Sequence, residues 1–210
     1  MSREIIQAEA FGWMDRTHAQ PGTSVVTSLP DISELAMGFD EWRAWFVDAV
    51  RRVVRWVPAD GVAIFFQSDV RHRGAWIDKG HLVMCGADAE SAVTLWHRIV
   101  CRQPPGVLTQ GRASYSHMIG LAHAPLPPRR PRADVLPEAG RKTWSRAMGS
   151  HACTSACRYL LEETVTRRVV DPFCGHGTVL AVANALGLDA IGVDLSARRC
   201  RAARRLVVEL

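Results

Sequence analysis

The chain has 210 residues, 48% of them hydrophobic, and carries 26 basic against 21 acidic side chains for a net charge of +5. That length and apolar content suit one α/β domain with a sizeable core. No run of about eighteen apolar residues occurs and Met-Ser-Arg-Glu opens the chain without an apolar stretch, which excludes membrane-spanning and secreted classes and points to a cytoplasmic protein.

In chain order, residues 4–8 read as a short strand, followed by a small helix over 11–16 and a Pro-Gly turn. Residues 24–28 are a β-branched strand stopped by Leu29-Pro30-Asp31. From 40 to 57, Trp45, Phe46, Ala49, Val50, Val53 and Val54 recur on one helical face, with Asp40 expected as N-cap and Pro58 as the stop. A buried strand over 61–66, a basic loop at 71–74, a helix over 78–91 and strands over 93–100 and 115–122 complete the first half. Residues 123–147 are rich in Pro and Arg and irregular. A helix over 150–163, a strand over 168–171, a glycine turn, a helix to 186, a strand over 190–194 and a closing helix from 196 follow. The order predicts a largely parallel sheet with one antiparallel strand and helices on both faces.

Six cysteines are scattered without a C-x-x-C pair, so neither a disulfide framework nor a zinc ribbon is indicated. His151, Cys153 and Cys157 share a helical face, but packed thiols account for them and no metal is expected.

The chemistry concentrates in Val170-Asp171-Pro172-Phe173-Cys174-Gly175-His176-Gly177-Thr178, a glycine turn between a strand and a helix, with Asp194 closing the next strand. Gly175 and Gly177 allow φ > 0 and a close backbone approach, Thr178 opens a helix whose N-terminal end is positive, and Asp194 suits both hydroxyls of a ribose. A dinucleotide fingerprint needs a third glycine where this chain has Leu180, so the turn suits a single nucleoside.

Asp171-Pro172-Phe173-x-Gly175-x-Gly177-Thr178 resembles the cofactor loop of S-adenosylmethionine-dependent methyltransferases, most closely those that methylate amino groups of DNA and RNA bases. The loop stands late in the chain, which resembles the circularly permuted β-group. The likeness extends to residues 5–10, to Thr27-Ser28-Leu29-Pro30-Asp31 where those enzymes carry Asp/Asn/Ser-Pro-Pro-aromatic, and to the strand pair around Trp96 and His117. It implies one Rossmann-like domain over 1–210, with a permuted seven-stranded sheet, an acceptor-side half (1–122), a target-recognition loop (123–147) and a cofactor-side half (148–210).

By the same resemblance, Asp171, Phe173, Gly175, Gly177 and Thr178 wall the methionine end of S-adenosyl-L-methionine, Asp194 holds its ribose and Glu9 lies near its adenine amine. Ser150 and His151, at a helix N-terminus, receive its carboxylate, and Ser150 can be a plain N-cap at the same time. Ser28, Leu29, Pro30 and Asp31 hold the acceptor, with Ser28 Oγ and the Leu29 carbonyl gripping the amine protons. Leu29 in place of the first proline loosens this loop, and Asp31 in place of the aromatic removes a stacking partner. Asp31 then either accepts a hydrogen bond or proton from the acceptor or caps the next helix; Trp76 and Trp144 are alternative stacking groups or packing residues.

Arg129, Arg130, Arg132, Arg141 and Lys142 form a basic cluster suited to a nucleic-acid partner. A second, from Arg198 to Arg205, reads as a solvated helix face. The implied reaction is methyl transfer to an amino group of a nucleic-acid base. RNA stands slightly ahead of DNA because residues 123–147 are too few for a separate base-reading domain. A DNA N4-cytosine or N6-adenine enzyme is the alternative, then a small-molecule or protein methyltransferase, then a non-catalytic module. A homodimer or a partner subunit is left open.

Overall fold

The computed structural model describes residues 1–209. The elements run β1 (Arg3–Gln7), α1 (Ala10–Arg16), β2 (Thr23–Thr27), a 3₁₀ turn (Ile32–Glu34), α2 (Phe39–Trp56), β3 (Ala63–Gln67), β4 (Val70–His72), β5 (Ala75–Ile77) and α3 (Lys79–Asp88). Then come β6 (Val93–Cys101), β7 (Tyr115–Ala122), β8 (Val135–Leu136), α4 (Ser150–Glu163), β9 (Arg168–Asp171), α5 (Thr178–Ala185), β10 (Asp189–Asp194) and α6 (Ala197–Arg205).

One sheet has the spatial order β1-β10-β9-β2-β3-β7-β6-β8, and β7 alone runs against the others. Central strands alternate their side chains between two apolar layers. Val26, Ile64, Met118 and Val169 face α4, α5 and α6. Their neighbours Val25, Phe65, Ile119 and Val170 face α1, α2 and α3. The chain leaves β9 toward β10 through α5 on one face and leaves β2 toward β3 through α2 on the other. The strand order therefore reverses between β9 and β2, and a crevice opens at their carboxyl ends.

The mostly parallel sheet with one reversed strand agrees with the sequence, but the expected seven strands become eight. Val135–Leu136, inside the stretch read as irregular, pairs with Ile99 and Val100 of β6. The loop at 71–74 is a hairpin, β4 against β5, whose turn puts Arg73 and Gly74 at positive φ. Gly38, not Asp40, caps α2, and Asp40 lies in the first turn, where a carboxylate still favours the helix dipole. Gly149, not Ser150, caps α4. No described helix is long and apolar enough to cross a membrane.

Candidate functional site

The crevice between β9 and β2 deepens into a cavity of about 320 Å³. Its floor is fixed by two strand ends. Thr27 Oγ1 donates to Asp171 Oδ1 at 2.7 Å, and the Phe173 N–H reaches the same oxygen at 3.1 Å. Asp171 is only 4% exposed. Burial pushes its carboxyl up to about 7; the two donors pull it back in part, and the charge of Asp194 adds to the rise.

Asp194, at the end of β10, accepts from the Gly175 N–H at 3.1 Å through Oδ2 and from the Ser196 N–H at 2.7 Å through Oδ1. The glycine turn is thus tied to the neighbouring strand. Gly175 sits at φ 55°, and a Cβ there would lie 2.7 Å from the Trp144 ring. Trp144 stacks on His176 with centroids 4.5 Å apart and lies under the Arg199 guanidinium. Gly177, at φ 79°, caps α5, but a Cβ on it would meet Ala203 of α6. The two glycines therefore do different work: Gly175 lets the Trp144 ring approach the turn and Gly177 lets α6 approach.

The opposite wall is the corner after β2. Ser28, Leu29 and Pro30 line the cavity, the Leu29 side chain is 3% exposed in the core, and Trp42 Nε1 of α2 donates to the Pro30 carbonyl at 3.3 Å. Leucine in place of proline does not loosen this corner, because the buried side chain anchors it. Phe173 meets Phe11 edge-on at 5.8 Å, and Arg146 pairs with Glu34 at the rim. Glu9 lines the cavity while its carboxylate caps α1 by accepting from Phe11 N–H at 3.0 Å and Gly12 N–H at 2.6 Å.

Of the residues read from the sequence, the cavity gathers Glu9, Ser28, Leu29, Pro30, Asp171, Phe173, Gly175, Thr178 and Asp194. Ser150 and His151 lie outside it: a Cβ on Gly140 would touch both, and His151 Nδ1 pairs with Glu138 at 3.1 Å. Cys153 and Cys157 are fully buried, and burial raises both thiols.

Asp31 also turns away from the cavity. It caps the 3₁₀ turn by position, and its Oδ1 accepts from Lys79 Nζ at 2.7 Å, a lysine only 3% exposed. Lys79 belongs to a network the sequence reading did not assemble. Its backbone N–H donates to Asp69 Oδ1 at 2.8 Å, and Asp69 further accepts from Trp76 Nε1 at 3.1 Å and Tyr115 Oη at 3.2 Å. His117 Nε2 lies 3.0 Å from Asp69, and its Nδ1 lies 2.9 Å from His97 Nε2. These residues come from β6, β7, the hairpin and the start of α3, so only long-range pairing brings them together. Asp69, Asp78 and His117 have metal-like spacing, but the Asp69 oxygens are already occupied by these donors.

The basic cluster splits. Arg132 binds Glu162 at 2.6 Å and Glu163 at 3.0 Å, the Arg129 N–H donates to Glu163 at 2.7 Å, and Arg130 lies 3.8 Å from Glu162. Since β7 ends at the amino edge of the sheet and Glu163 precedes β9, these three arginines lie away from the cavity. Arg141 and Lys142 follow β8 and stand at the carboxyl edge with the cavity.

Comparison with known proteins adds to this geometry. Residues 163–205 match a family model described as DNA methylase. No curated protein matches the chain. Among solved structures, a protein of Thermus thermophilus, described as a putative DNA modification methylase and bound to S-adenosyl-L-methionine, aligns with a TM-score of 0.72 at 17% identity, over 97% of this chain and 93% of its own. The PvuII DNA methyltransferase, cytosine-N4-specific, aligns with a TM-score of 0.75 at 13% identity over 100% and 88%. The S-adenosylmethionine complex of M1.HpyAVI aligns with a TM-score of 0.62 at 13% identity over 97% and 98%. The fold is shared with these proteins along nearly the whole chain.

Proposed function

We propose that this chain is an S-adenosyl-L-methionine-dependent methyltransferase acting on an amino group of a nucleic-acid base, with DNA the favoured substrate. The observation that carries the reading is the cavity at the switch point, walled on one side by Asp171, Phe173, Gly175 and Asp194 and on the other by Ser28, Leu29 and Pro30. RNA, placed first from the sequence, gives way to DNA on the support of the matched family description and the names of the structural neighbours.

The residues present fit the donor. Gly175, having no Cβ, lets the Trp144 ring close on the glycine turn, so that both line the cavity where a flat nucleoside would lie, and Asp194 is placed to hold ribose hydroxyls with its remaining acceptor capacity. Asp171 would face the amino-acid end of the donor, Phe173 and Thr178 would wall it, and Glu9 would lie at the base end. S-adenosyl-L-methionine supplies an electrophilic sulfonium methyl group. An exocyclic base amine is a weak nucleophile because its lone pair is delocalised into the ring. Ser28 Oγ and the Leu29 carbonyl accept its two N–H protons and orient the lone pair, and the pinned corner keeps both acceptors in place. A protonated amine product releases its proton readily, so no strong base is required.

One domain carries both halves, with residues 1–122 on the acceptor side and 148–210 on the donor side. The late position of the glycine turn supports the permuted order.

The test is mass spectrometry of nucleosides after incubation with methyl-labelled donor and, separately, duplex DNA and total RNA. Label in N4-methylcytosine or N6-methyladenine from DNA is expected. Label confined to RNA would restore the other substrate, and label in neither would remove the nucleic-acid reading.

A further inference from the structure

We propose that Arg102, Arg112 and Lys142 form a docking site for the phosphodiester backbone of the DNA substrate, beside the acceptor corner. The proposal rests on the methyltransferase reading and adds where the strand is held.

The three residues come from separate segments that topology brings to one edge. Arg102 follows the end of β6, Arg112 precedes the start of the reversed strand β7, and Lys142 follows β8, which runs parallel to β6. All three therefore stand at the carboxyl edge, where the cavity opens. They line one open depression together with Gln103, Thr109 and Gly140.

Backbone bonds hold the walls of that depression. The N–H groups of Arg102 and Gln103 both donate to the Ser114 carbonyl, at 2.7 and 3.1 Å. The Ser150 N–H donates to the Arg141 carbonyl at 2.9 Å, and the Ala152 N–H to the Ala139 carbonyl at 3.2 Å. The cations are thus presented on braced loops, two of which end in β-strands of the main sheet and one on α4.

Among the described residues, none of the three side chains has a carboxylate within ion-pair distance; the ion pairs of this region engage other groups. Glu138, which also lines the depression, is paired with His151, and Asp31, whose charge reaches Arg102, is paired with Lys79. Partial burial first, and then the charges of Arg102 and Arg112, hold the Lys142 ammonium below its ordinary range. Burial and the Arg112 charge do the same to the Arg102 guanidinium. Like charges gathered without counter-ions are relieved by a bound anion, and guanidinium groups match phosphate oxygens in a bidentate manner. The arginines at 129, 130 and 132 are the contrast, because Glu162 and Glu163 already answer them.

The test is fluorescence anisotropy of labelled duplex DNA over a range of salt concentrations. It compares wild type, the variant Arg102→Ala/Arg112→Ala/Lys142→Ala, and the variant Arg129→Ala/Arg130→Ala, with calorimetric donor binding as the check on folding. In the first variant the slope of log affinity against log salt is expected to shrink by about 2 to 3 units. Arg102→Lys/Arg112→Lys, with Lys142 kept, should retain most of it, and the Arg129→Ala/Arg130→Ala variant should keep the wild-type slope. An unchanged slope in the first variant, with wild type binding and methylating DNA, overturns the docking site and leaves the enzymatic reading intact. Inorganic phosphate titrated into wild type separates a free anion from a strand: a stoichiometric phosphate site lost in the triple variant, with the DNA slope unchanged, also overturns it. A wild type that binds no nucleic acid removes the docking site and the substrate reading together.

Discussion

Thr27 and Asp171, 144 residues apart in sequence, share a hydrogen bond of 2.7 Å that ties the end of β2 to the end of β9 at the point where the sheet changes direction. Both residues are buried. This bond joins the strand that leads into the Ser28–Pro30 corner to the strand that leads into the glycine turn, and the carboxyl it touches is held near 7 by burial, far above an unfolded aspartate at about 3.9.

The raised value fixes the sign of a pH effect. Between the unfolded and folded values the native state holds a proton the unfolded chain has lost, so this contribution is present at low pH and disappears as pH rises toward 7. Melting curves of ligand-free protein should therefore show Asp171→Asn gaining on wild type as pH climbs from about 4 to 7, by on the order of a few kcal/mol. Parallel curves would mean that Asp171 ionises normally.

Much of this site was legible before the fold was known, because its parts are local. A glycine turn between a strand and a helix, with an acid at the end of the next strand, is written within residues 168–194, and β-branched runs mark the strands on either side. The hidden parts depend on chain crossings. Nothing near Asp31 announces Lys79, and nothing near Asp69 announces Tyr115 and His117, since register in the β3–β7 and β6–β7 pairs brings them together. The basic cluster divides for the same reason: residues 129 to 142 are close in sequence but cross from one edge of the sheet to the other.

Gly175→Ala combines two penalties. The backbone at φ 55° disfavours any Cβ, and the added carbon would sit 2.7 Å from Trp144. A stability loss of about 1 to 3 kcal/mol is expected from the backbone alone, measurable by urea unfolding. Gly177→Ala should cost at least as much, through the Ala203 contact with α6. If both substitutions prove neutral, the turn does not hold a left-handed backbone at these glycines in solution.

The Asp31–Lys79 pair should respond unequally to removal of its two halves. Asp31→Asn strands an ammonium that is 3% exposed, whereas Lys79→Met leaves a carboxylate that is 36% exposed and that water can reach. Breaking a pair by stranding its buried member costs about 3 to 5 kcal/mol at the upper end. Chemical denaturation should rank Asp31→Asn as the more damaging change, and the reverse order would contradict the burial assigned to Lys79.

Asp69→Asn tests the network behind that pair. The substitution removes a carboxylate that Trp76, Tyr115, the Lys79 N–H and His117 all address. Burial, the largest single influence, pushes the Asp69 carboxyl up, but the His117 contact and the Lys79 N–H together outweigh it and hold the carboxyl below its usual range, so its stabilisation is lost as pH falls through the acidic range. The variant should lose about 2 to 4 kcal/mol at pH 7 and show a flatter acid limb than wild type. An acid limb identical to wild type would take Asp69 out of the network.

The central claim is that the cavity between β9 and β2 holds an S-adenosyl-L-methionine molecule. Isothermal titration calorimetry of wild type and Gly175→Ala with the donor and its demethylated product tests it most directly. Wild type should bind one molecule per chain, and Gly175→Ala, folded by its melting curve, should give no measurable heat. No heat from wild type, or equal affinity in a folded Gly175→Ala, would contradict the account.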